Sequence, residues 1–370
     1  MKKFLALTGL TALMLTACTP ASKGTIKIGF IGPLTGDAAA LGADELSGVK
    51  WAVDQANAKG GVKGMTVELI AEDGKCTGSD AASAAQKLVN VDKVIAIVGG
   101  LCSGETLAAA PIAEAGKVVL ISPGSSSPDV SSAGDFVFRD YPSDALKTQA
   151  MAKYFNESGF TRVAMISENT DFAQAFRTSL KKNLPEGTVI FDEVVEPGTK
   201  DYRSLLTRMK NVSFDVFFPD AQTDGVMAVM MQQYREAGFT QKAVAHDVAD
   251  SITIAQIAGK AAEGFELINV PTAGEGTDFE VEFVKKFGSP KGSIAWAAHS
   301  YDATNVLFQA MESTSADGTA IRDYLYALPS YRGVVGQFKF DRNGDALGIP
   351  YVLKVFRDGK IVKVKDLPVN

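Results

Sequence analysis

From Thr25 onward the chain alternates short apolar runs with segments of helical length, and this alternation restricts the possible fold more than any other feature. Apolar runs such as 25–31, 94–98 and 118–122 are continuous, which is typical of strands buried on both faces of a parallel sheet. Strands that alternate with helices form right-handed strand–helix–strand units. The sequence therefore predicts an α/β fold with doubly wound parallel sheets.

The pattern changes towards the C-terminus. Three helices in succession are predicted, at 279–287, 294–312 and 321–328. Two hairpin-like segments follow. The first has its turn at 342–345, and the second has Asp358-Gly359 at its tip. Because Asn-Gly and Asp-Gly are strong hairpin signals, we expect antiparallel pairs in this part of the chain.

The N-terminus has the features of an export signal. Lys2 and Lys3 precede an apolar run from Phe4 to Leu15, which is too short to span a membrane, since a spanning helix needs roughly 20 residues. The run ends in Leu15-Thr16-Ala17-Cys18, which resembles the lipobox of bacterial lipoproteins. We expect residues 1–17 to be removed as a signal peptide, Cys18 to carry lipid and 18–24 to form a polar tether. An ordinary secretory peptide with a chance cysteine is the alternative.

Composition limits the partners of the mature chain. Removal of residues 1–17 would leave 353 of the 370 residues, which suffice for two domains, and the full sequence has 46% hydrophobic and 22% charged residues, which are ordinary values for a globular protein. A net charge of −6 without a basic stripe argues against nucleic acid as a partner. We expect a monomer in the cell envelope, on its periplasmic or extracellular face, that contacts the membrane through the lipid anchor only.

Two cysteines remain when Cys18 is set aside. Cys76 and Cys102 would lie in a compartment where disulfides persist, and a bridge between them would contribute roughly 3 kcal/mol. Free thiols or a metal pair are the alternatives. His246 and His299 lie too far along the sequence to give zinc spacing, so we expect no metal site.

Ligands of open parallel sheets bind beyond the carboxyl ends of the strands. Four loops occupy such positions: Gly32–Gly36, Gly99–Gly104, Ser122–Pro128 and His246-Asp247. The second and third loops are rich in hydroxyls and backbone N–H groups, and the second opens a helix. They therefore suit a carboxylate ligand.

Ser103 and Ser126 are the candidate ligand contacts in these two loops. The structural alternatives are an N-cap for Ser103 and a turn of small residues around Ser126. No dinucleotide fingerprint, Walker A loop or nucleophile elbow is present, so we expect neither a cofactor nor an enzyme. A hydrolase that uses Ser126 or Ser103 with a histidine base is the alternative from another class.

The loops, in this order, resemble those of the leucine/isoleucine/valine-binding proteins of ABC importers, over the chain from about Thr25 to the C-terminus. The segments that carry the resemblance are Gly29–Gly36, Ala52–Gly61, the two cysteine loops, Ile121–Pro128 and Ile257–Gly264. Each segment alone is weak, but their combination at these spacings is specific.

The resemblance implies a type I periplasmic-binding-protein fold, in which two α/β lobes joined by three crossovers close on an amino acid. The first lobe would comprise 25–143 plus 272–347, and the second 144–271 plus 348–370. The resemblance also implies that the two remaining cysteines pair, and that the ligand passes to the permease subunits of an ABC importer. An envelope-anchored sensor of amino acids or small amides, docking on a receptor, is the alternative.

The resemblance also assigns the amino and carboxyl ends of the ligand. Ser103 and Ser126 should bind its α-carboxylate through hydroxyl and amide, and the Gly124 carbonyl should face its α-ammonium. Asp247 stands where the family usually has a glutamate paired with that ammonium. Asp220, which also ends a strand, is the rival acid.

The ligand side chain is assigned in the same way. Phe172 should line the pocket from the second lobe, and Leu101 and Cys102 should touch the side chain. Leu41 and Gln222 stand where relatives tend to carry tyrosines, which predicts a roomier and less purely apolar pocket. The expected ligand is a branched-chain amino acid first, and a larger or polar amino acid next.

Overall fold

The computed structural model describes residues 24–368. The predicted signal peptide, the lipidation site Cys18 and the tether up to Lys23 lie outside these residues. Within residues 24–368, every helix is too short or too polar to cross a membrane.

The described chain contains fifteen strands and eleven α-helices. The strands are β1 (Thr25–Gly32), β2 (Thr66–Asp73), β3 (Ala96–Gly99), β4 (Val119–Ser122), β5 (Val137–Arg139), β6 (Val163–Glu168), β7 (Val189–Val195), β8 (Val216–Asp220), β9 (Lys242–Ala245), β10 (Glu266–Asn269), β11 (Tyr331–Gly333), β12 (Gly336–Phe340), β13 (Ala346–Leu347), β14 (Tyr351–Arg357) and β15 (Lys360–Leu367). The helices are α1 (Ala39–Ala58), α2 (Gly78–Gln86), α3 (Ser103–Gly116), α4 (Asp144–Glu157), α5 (Asp171–Asn183), α6 (Arg203–Met209), α7 (Asp224–Glu236), α8 (Ile252–Ala258), α9 (Asp278–Phe287), α10 (Ile294–Ser313) and α11 (Gly318–Ala327).

The first sheet has five parallel strands in the order β2-β1-β3-β4-β5. Successive side chains of a strand point to opposite faces. Ile28 and Phe30 therefore pack on one face with α1, α10 and α11, whereas Ile31 packs on the other with α2 and α3. The result is a sheet with helices on both faces, as the continuous apolar runs predict.

The second sheet has seven strands in the order β15-β14-β10-β9-β8-β6-β7. Strands β6 to β10 run parallel, with α4 and α5 on one face and α6, α7 and α8 on the other. The hairpin β14–β15 joins the edge of this sheet antiparallel to β10. Both predicted C-terminal hairpins are confirmed, since β12 and β13 pair antiparallel around the Asn343-Gly344 turn.

The predicted α/β fold is confirmed, with three corrections. Burial on both faces is wrong for β2 and β7, which are edge strands with half-exposed side chains. The second sheet is mixed rather than wholly parallel. Strands β10 and β11 and helix α8 are absent from the sequence-based expectations because these segments are too short to show a clear period.

Helices α4 and α5 both begin beside the carboxyl ends of strands. The Ser143 hydroxyl accepts a hydrogen bond from Ala145 N–H at the start of α4, and the Thr170 hydroxyl accepts one from Ala173 N–H at the start of α5. Such caps satisfy N–H groups that have no acceptor within the helix. They place the first turns of both helices at the edge where the two sheets face each other.

Candidate functional site

All the residues predicted to bind the ligand line one cavity with an empty volume of about 370 Å³. Its walls are the loops after β3, β4, β8 and β9 together with the first turns of α1, α5 and α10. The lining residues are Ala38, Leu41, Leu101, Cys102, Ser103, Gly124, Ser126, Phe172, Gln222, Asp247, Val248 and Trp296. The carboxyl ends of strands from both sheets thus face each other across one small space.

Most of the residues that line the cavity are buried. Leu41, Leu101 and Trp296, which come from the side of the first sheet, share one apolar cluster with Phe172 and Phe176 of α5. Trp296 also packs its ring on Tyr141, with the ring centroids 5.6 Å apart. A ligand enclosed here would be removed from water on nearly every side.

A larger and more open hollow, with an empty volume of about 1140 Å³, lies elsewhere on the surface beside Phe279, Tyr301 and Tyr331. It contains none of the predicted ligand-binding residues. We therefore take the small cavity as the candidate site.

One side of the cavity is formed by the segments Leu101–Ser103 and Gly124–Ser127, here called the serine wall; Ser125 and Ser127 belong to these segments but do not line the cavity. Cys102 is the N-cap of α3 and is bonded to Cys76, with the two Cα atoms 5.3 Å apart. The predicted bridge is therefore present in the structure. The Glu105 carboxylate accepts hydrogen bonds from the backbone N–H groups of Cys76 and Cys102, both at 3.0 Å. The bridge and Glu105 together fix the start of α3.

Ser103 is the first residue of α3, so the alternative that it serves as the N-cap is wrong. Its buried hydroxyl oxygen accepts a hydrogen bond from Ser127 N–H at 3.2 Å. A hydroxyl can accept and donate at once. The Ser103 proton therefore stays available to a hydrogen-bond acceptor in the cavity.

Ser126, unlike Ser103, presents a hydrogen-bond acceptor to the cavity rather than a donor. Its hydroxyl donates to Asp144 Oδ2 at 2.7 Å, and its carbonyl accepts from Asp144 N–H at 2.8 Å. With its single proton engaged, the Ser126 hydroxyl offers lone pairs to the cavity. It is placed to accept from an ammonium, whereas the resemblance assigns the hydroxyl to the carboxylate.

Arg139 supports the serine wall from behind, a role that the sequence does not reveal. The fully buried guanidinium donates to the carbonyls of Ser125 and Ser127, at 3.2 and 2.8 Å, and to Asp345 Oδ1 at 2.6 Å. Gly124 is tightly packed, because a Cβ there would lie 2.7 Å from Leu101 Cδ1 and 3.1 Å from the Leu101 carbonyl oxygen, so a larger residue would require Leu101 to move. The shape of the loop thus depends on a distant ion pair and on a glycine.

The opposite side carries the charge. Asp247 begins a 3-10 turn directly after β9, and it is the single charged residue among the lining residues within 24–368. Its Oδ1 atom accepts a hydrogen bond from Lys147 Nζ, and Lys147 Nζ also lies 2.7 Å from Asp144 Oδ1. Asp144, Lys147 and Asp247 are called the charged cluster below. The sequence does not indicate that Lys147 and Asp144 belong to the site, because charged residues in the first turn of a helix usually face solvent.

Lys147 and the two carboxylates shift one another's pKa values. Burial by itself would raise the pKa of Asp247, but Lys147 holds that pKa below its usual range. Burial would likewise lower the pKa of Lys147, yet the two carboxylates raise it. Burial raises the pKa of Asp144, and Lys147 opposes that rise. Asp247 therefore faces the cavity as a carboxylate.

Asp220, the rival acid, does not line the cavity. It is fully buried, and its Oδ1 atom lies 3.1 Å from His246 Nε2. Val248 N–H donates to His246 Nδ1 at 3.3 Å, which assigns the imidazole proton to Nε2. Asp220 is thus the partner of His246, and Asp247 alone of the two acids reaches the cavity.

The remaining walls are apolar. Phe172 lies against the His246 ring, with the centroids 5.0 Å apart, and Leu41 and Leu101 face it from the first sheet. Trp296 completes this surface, although the sequence did not single it out as a ligand-binding residue. The signal that could have indicated it is a tryptophan in the first turn of the helix predicted at 294–312. Gln222 adds a polar amide to the same space.

Two sheets that face each other across a small cavity, with a hydroxyl donor at a helix start on one side and a carboxylate on the other, define a small-molecule binding protein. Within residues 24–368, no group of three histidine, cysteine or acidic residues is arranged to hold a metal ion. Residues 25–360 match the family model described as periplasmic binding protein, and the chain belongs to this family.

Individual relatives are similar over nearly the whole chain. The Leu/Ile/Val-binding protein of Citrobacter freundii is 29% identical over 335 residues, which is 88% of this chain and 89% of that protein. Among solved structures, the leucine-binding protein LivK of Thermotoga maritima has a TM-score of 0.85 at 27% identity, covering 92% of this chain and 98% of that one. The branched-chain amino acid transporter substrate-binding protein LivJ of Streptococcus pneumoniae, in complex with isoleucine, has a TM-score of 0.81 at 27% identity, covering 92% and 100%.

Proposed function

We propose that this protein is an extracytoplasmic solute-binding lipoprotein that captures an L-amino acid between two closing lobes and delivers it to an ABC importer. The lobes would be 25–143 plus 272–347 and 144–271 plus 348–370. Cys18 would carry the lipid that keeps the protein at the membrane surface, so that a released ligand stays near the permease. Names of the relatives support a branched-chain amino acid as the first ligand to test.

The opposite polarity of Ser103 and Asp247 carries the proposal. The first N–H groups of a helix have no acceptor within the helix, so the start of α3 and the free proton of Ser103 suit a carboxylate. Asp247, with the lone pairs of Ser126 and the carbonyl of Gly124, suits an ammonium. One α-amino acid supplies both groups at a fixed short separation.

The apolar walls would receive the side chain. Leu41, Leu101, Phe172 and Trp296 give the cavity an apolar surface on which an aliphatic side chain could pack. Cys102 contributes its bridged sulfur to this surface, and Gln222 gives it one polar edge. Apolar burial by these residues would favour branched-chain side chains over charged ones.

Calorimetry of the mature protein with each of the proteinogenic L-amino acids tests the proposal. Refolding from denaturant first removes any ligand carried through purification, and native mass spectrometry of the untreated protein identifies that ligand. We expect an L-amino acid to bind at about micromolar affinity or tighter, which corresponds to roughly 8 kcal/mol. Protein that is folded by circular dichroism and gives no heat with any of them would overturn the proposal.

D-leucine provides the matched control for the site. It has the same groups as L-leucine, but it cannot place carboxylate, ammonium and side chain on the three walls at once. Equal affinity for the two enantiomers would indicate an unspecific apolar cavity.

A further inference from the structure

The charged cluster contains a feature that amino acid capture alone does not explain. Lys147 is a fully buried lysine, and it contacts two buried carboxylates, Asp144 and Asp247. Burial of a charged group is strongly unfavourable unless an opposite charge compensates it, and here Lys147 and the two carboxylates compensate one another. Lys147 also lies 5.2 Å from the centre of the Tyr141 ring, which further fixes the ammonium in place.

Lys147 lies behind the cavity rather than in it. Asp247 belongs to the lining, whereas Lys147 and Asp144 do not. The lysine engages Asp247 Oδ1 from the rear. It therefore does not occupy the space into which a ligand ammonium would point, and Asp247 Oδ2 is not committed to the lysine.

The charges of the cluster can be counted. Two carboxylates and one ammonium leave one net negative charge. His246 does not alter this count, because its Nδ1 accepts from Val248 N–H and its Nε2 proton lies towards Asp220. A ligand with one ammonium neutralises the cluster, a ligand with none leaves it uncompensated, and removal of either partner changes the count.

We propose that Lys147 and Asp144 are specificity-determining residues that act through Asp247: together they keep a full negative charge on the carboxylate that lines the cavity, and so select a ligand with a single ammonium. The proposal rests on the proposed function, since it concerns the ammonium end of the same site. Ser126 links the cluster to the serine wall, because Asp144 Oδ2 accepts its hydroxyl proton. Asp144 thereby keeps the lone pairs of Ser126 directed towards the same ammonium.

The contrasting arrangement is that Lys147 stands in for the ligand's ammonium. In that case Asp247 would be fully satisfied from within the protein. The preferred ligand would then be a carboxylate with an apolar tail and no amino group. The position of Lys147 outside the lining favours the first arrangement.

A charge cycle tests the proposal with L-leucine and 4-methylpentanoate, which is leucine without its ammonium. The proteins are the unsubstituted chain, Asp144→Asn, Lys147→Met and the double variant. Calorimetry gives the ratio of the two dissociation constants for each protein, and thermal unfolding shows that each is folded. We expect the unsubstituted protein to favour L-leucine by on the order of a hundredfold.

Each single variant should lose about tenfold or more of this preference. In Asp144→Asn, Lys147 neutralises Asp247, so the attraction for the ammonium falls. In Lys147→Met, the two carboxylates retain a proton between them, which reduces the charge on Asp247. The double variant has neither a lysine that neutralises Asp247 nor a second carboxylate that shares its proton. The ligand ammonium itself then pairs with an ionised Asp247, so most of the preference should be recovered.

Recovery in the double variant is a result that a purely structural role would not give, because removal of two buried groups would only add to the damage. Equal or tighter binding of 4-methylpentanoate by the unsubstituted protein would overturn the proposal in favour of the contrasting arrangement. Normal L-leucine preference in both single variants would also overturn it while leaving the proposed function intact. Failure of the folded, unsubstituted protein to bind any L-amino acid would overturn both proposals.

Discussion

The two sides of the cavity solve the problem of binding a charged group in different ways. The serine wall has no charged side chain on its surface, and it relies on hydroxyls, backbone N–H groups and the start of a helix. The charged cluster uses a carboxylate, and it needs a second carboxylate and a lysine behind it. Hydrogen-bonded neutral dipoles cost less to bury than an ionised group, which requires counter-charges in a low-dielectric interior.

The supports of the two sides differ as well. The serine wall is held by covalent and long-range contacts, namely the Cys76–Cys102 bridge, Glu105 and the Arg139–Asp345 ion pair. The charged cluster is held by mutual attraction among its own members. Damage to the serine wall should therefore be graded, while damage to the charged cluster should be abrupt. Four predictions test this contrast, in order of decreasing effect on affinity.

Asp247→Asn should have the largest effect. The variant leaves a ligand ammonium without its carboxylate and leaves Lys147 with one partner only. We expect the dissociation constant for the bound amino acid to rise by on the order of a hundredfold, measured by calorimetry. Asp220→Asn is the matched control, because Asp220 is equally buried but lies outside the lining. A larger loss in the control than in Asp247→Asn would assign the ammonium to the rival acid.

Ser103→Ala should weaken binding by about tenfold, since one hydrogen bond to a charged group contributes about 1.5–3 kcal/mol. Calorimetry again gives the affinity. Ser125→Ala serves as the control, because the Ser125 hydroxyl bonds to Thr106 and to the Gly100 carbonyl and does not line the cavity. The control should lower the unfolding temperature and leave the affinity close to normal. An unchanged affinity in Ser103→Ala would remove its hydroxyl from the site.

Cys76→Ser opens the bridge and leaves Cys102 on the cavity wall. The bridge closes a segment with a sequence separation of 26, so its loss should lower the free energy of unfolding by about 3 kcal/mol. Binding should weaken only a few-fold, because Glu105 still holds the start of α3. Denaturant titration and calorimetry measure the two effects. A reductant should reproduce them in the unsubstituted protein and have no further effect on the variant.

Substitution of Glu105 should have the smallest effect on affinity and a clear effect on the pH dependence of the free energy of unfolding. Burial raises its pKa from 4.5 to about 7, although the backbone N–H groups of Cys102 and Cys76 oppose the rise. The folded protein then binds the proton more tightly than the unfolded chain does. The contribution of Glu105 to stability is therefore full below pH 4.5, and it falls by on the order of 3 kcal/mol as the pH rises to about 7.

Glu105→Gln should remove this decline. Unfolding free energies of the variant and the unsubstituted protein, measured between pH 4.5 and 7, give the difference that belongs to Glu105. Glu275→Gln, at an exposed position, should leave the slope as it is. Parallel curves for Glu105→Gln and the unsubstituted protein would contradict the expectation.

Local signals were enough to predict most of the fold. The apolar runs at 25–31, 94–98 and 118–122 locate β1, β3 and β4, and Asn343-Gly344 and Asp358-Gly359 locate the C-terminal hairpins. These features depend on residues that are neighbours along the chain, so they can be identified without knowing the tertiary structure. The four loops at strand ends follow from the same pattern, and the family resemblance narrows them to particular residues.

Non-local contacts account for what the sequence did not predict. Lys147 and Asp247 are separated by 100 residues, and Arg139 and Asp345 by 206. Trp296 reaches the cavity only because α10 packs on the first sheet. A lysine in the first turn of a helix looks like an ordinary surface residue in the sequence. Its burial between two carboxylates arises when the strands bring distant loops together.

The chain itself thus determined its alternation of strands and helices, its turns, its cysteine pair and the loops that bear Ser103, Ser126 and Asp247. Tertiary structure alone decided how these groups are directed. The Ser103 proton is available because Ser127 N–H uses the oxygen, and the Ser126 proton is taken by Asp144. Polarity and net charge of a site are properties of contacts, and contacts between distant residues exist only in the folded protein.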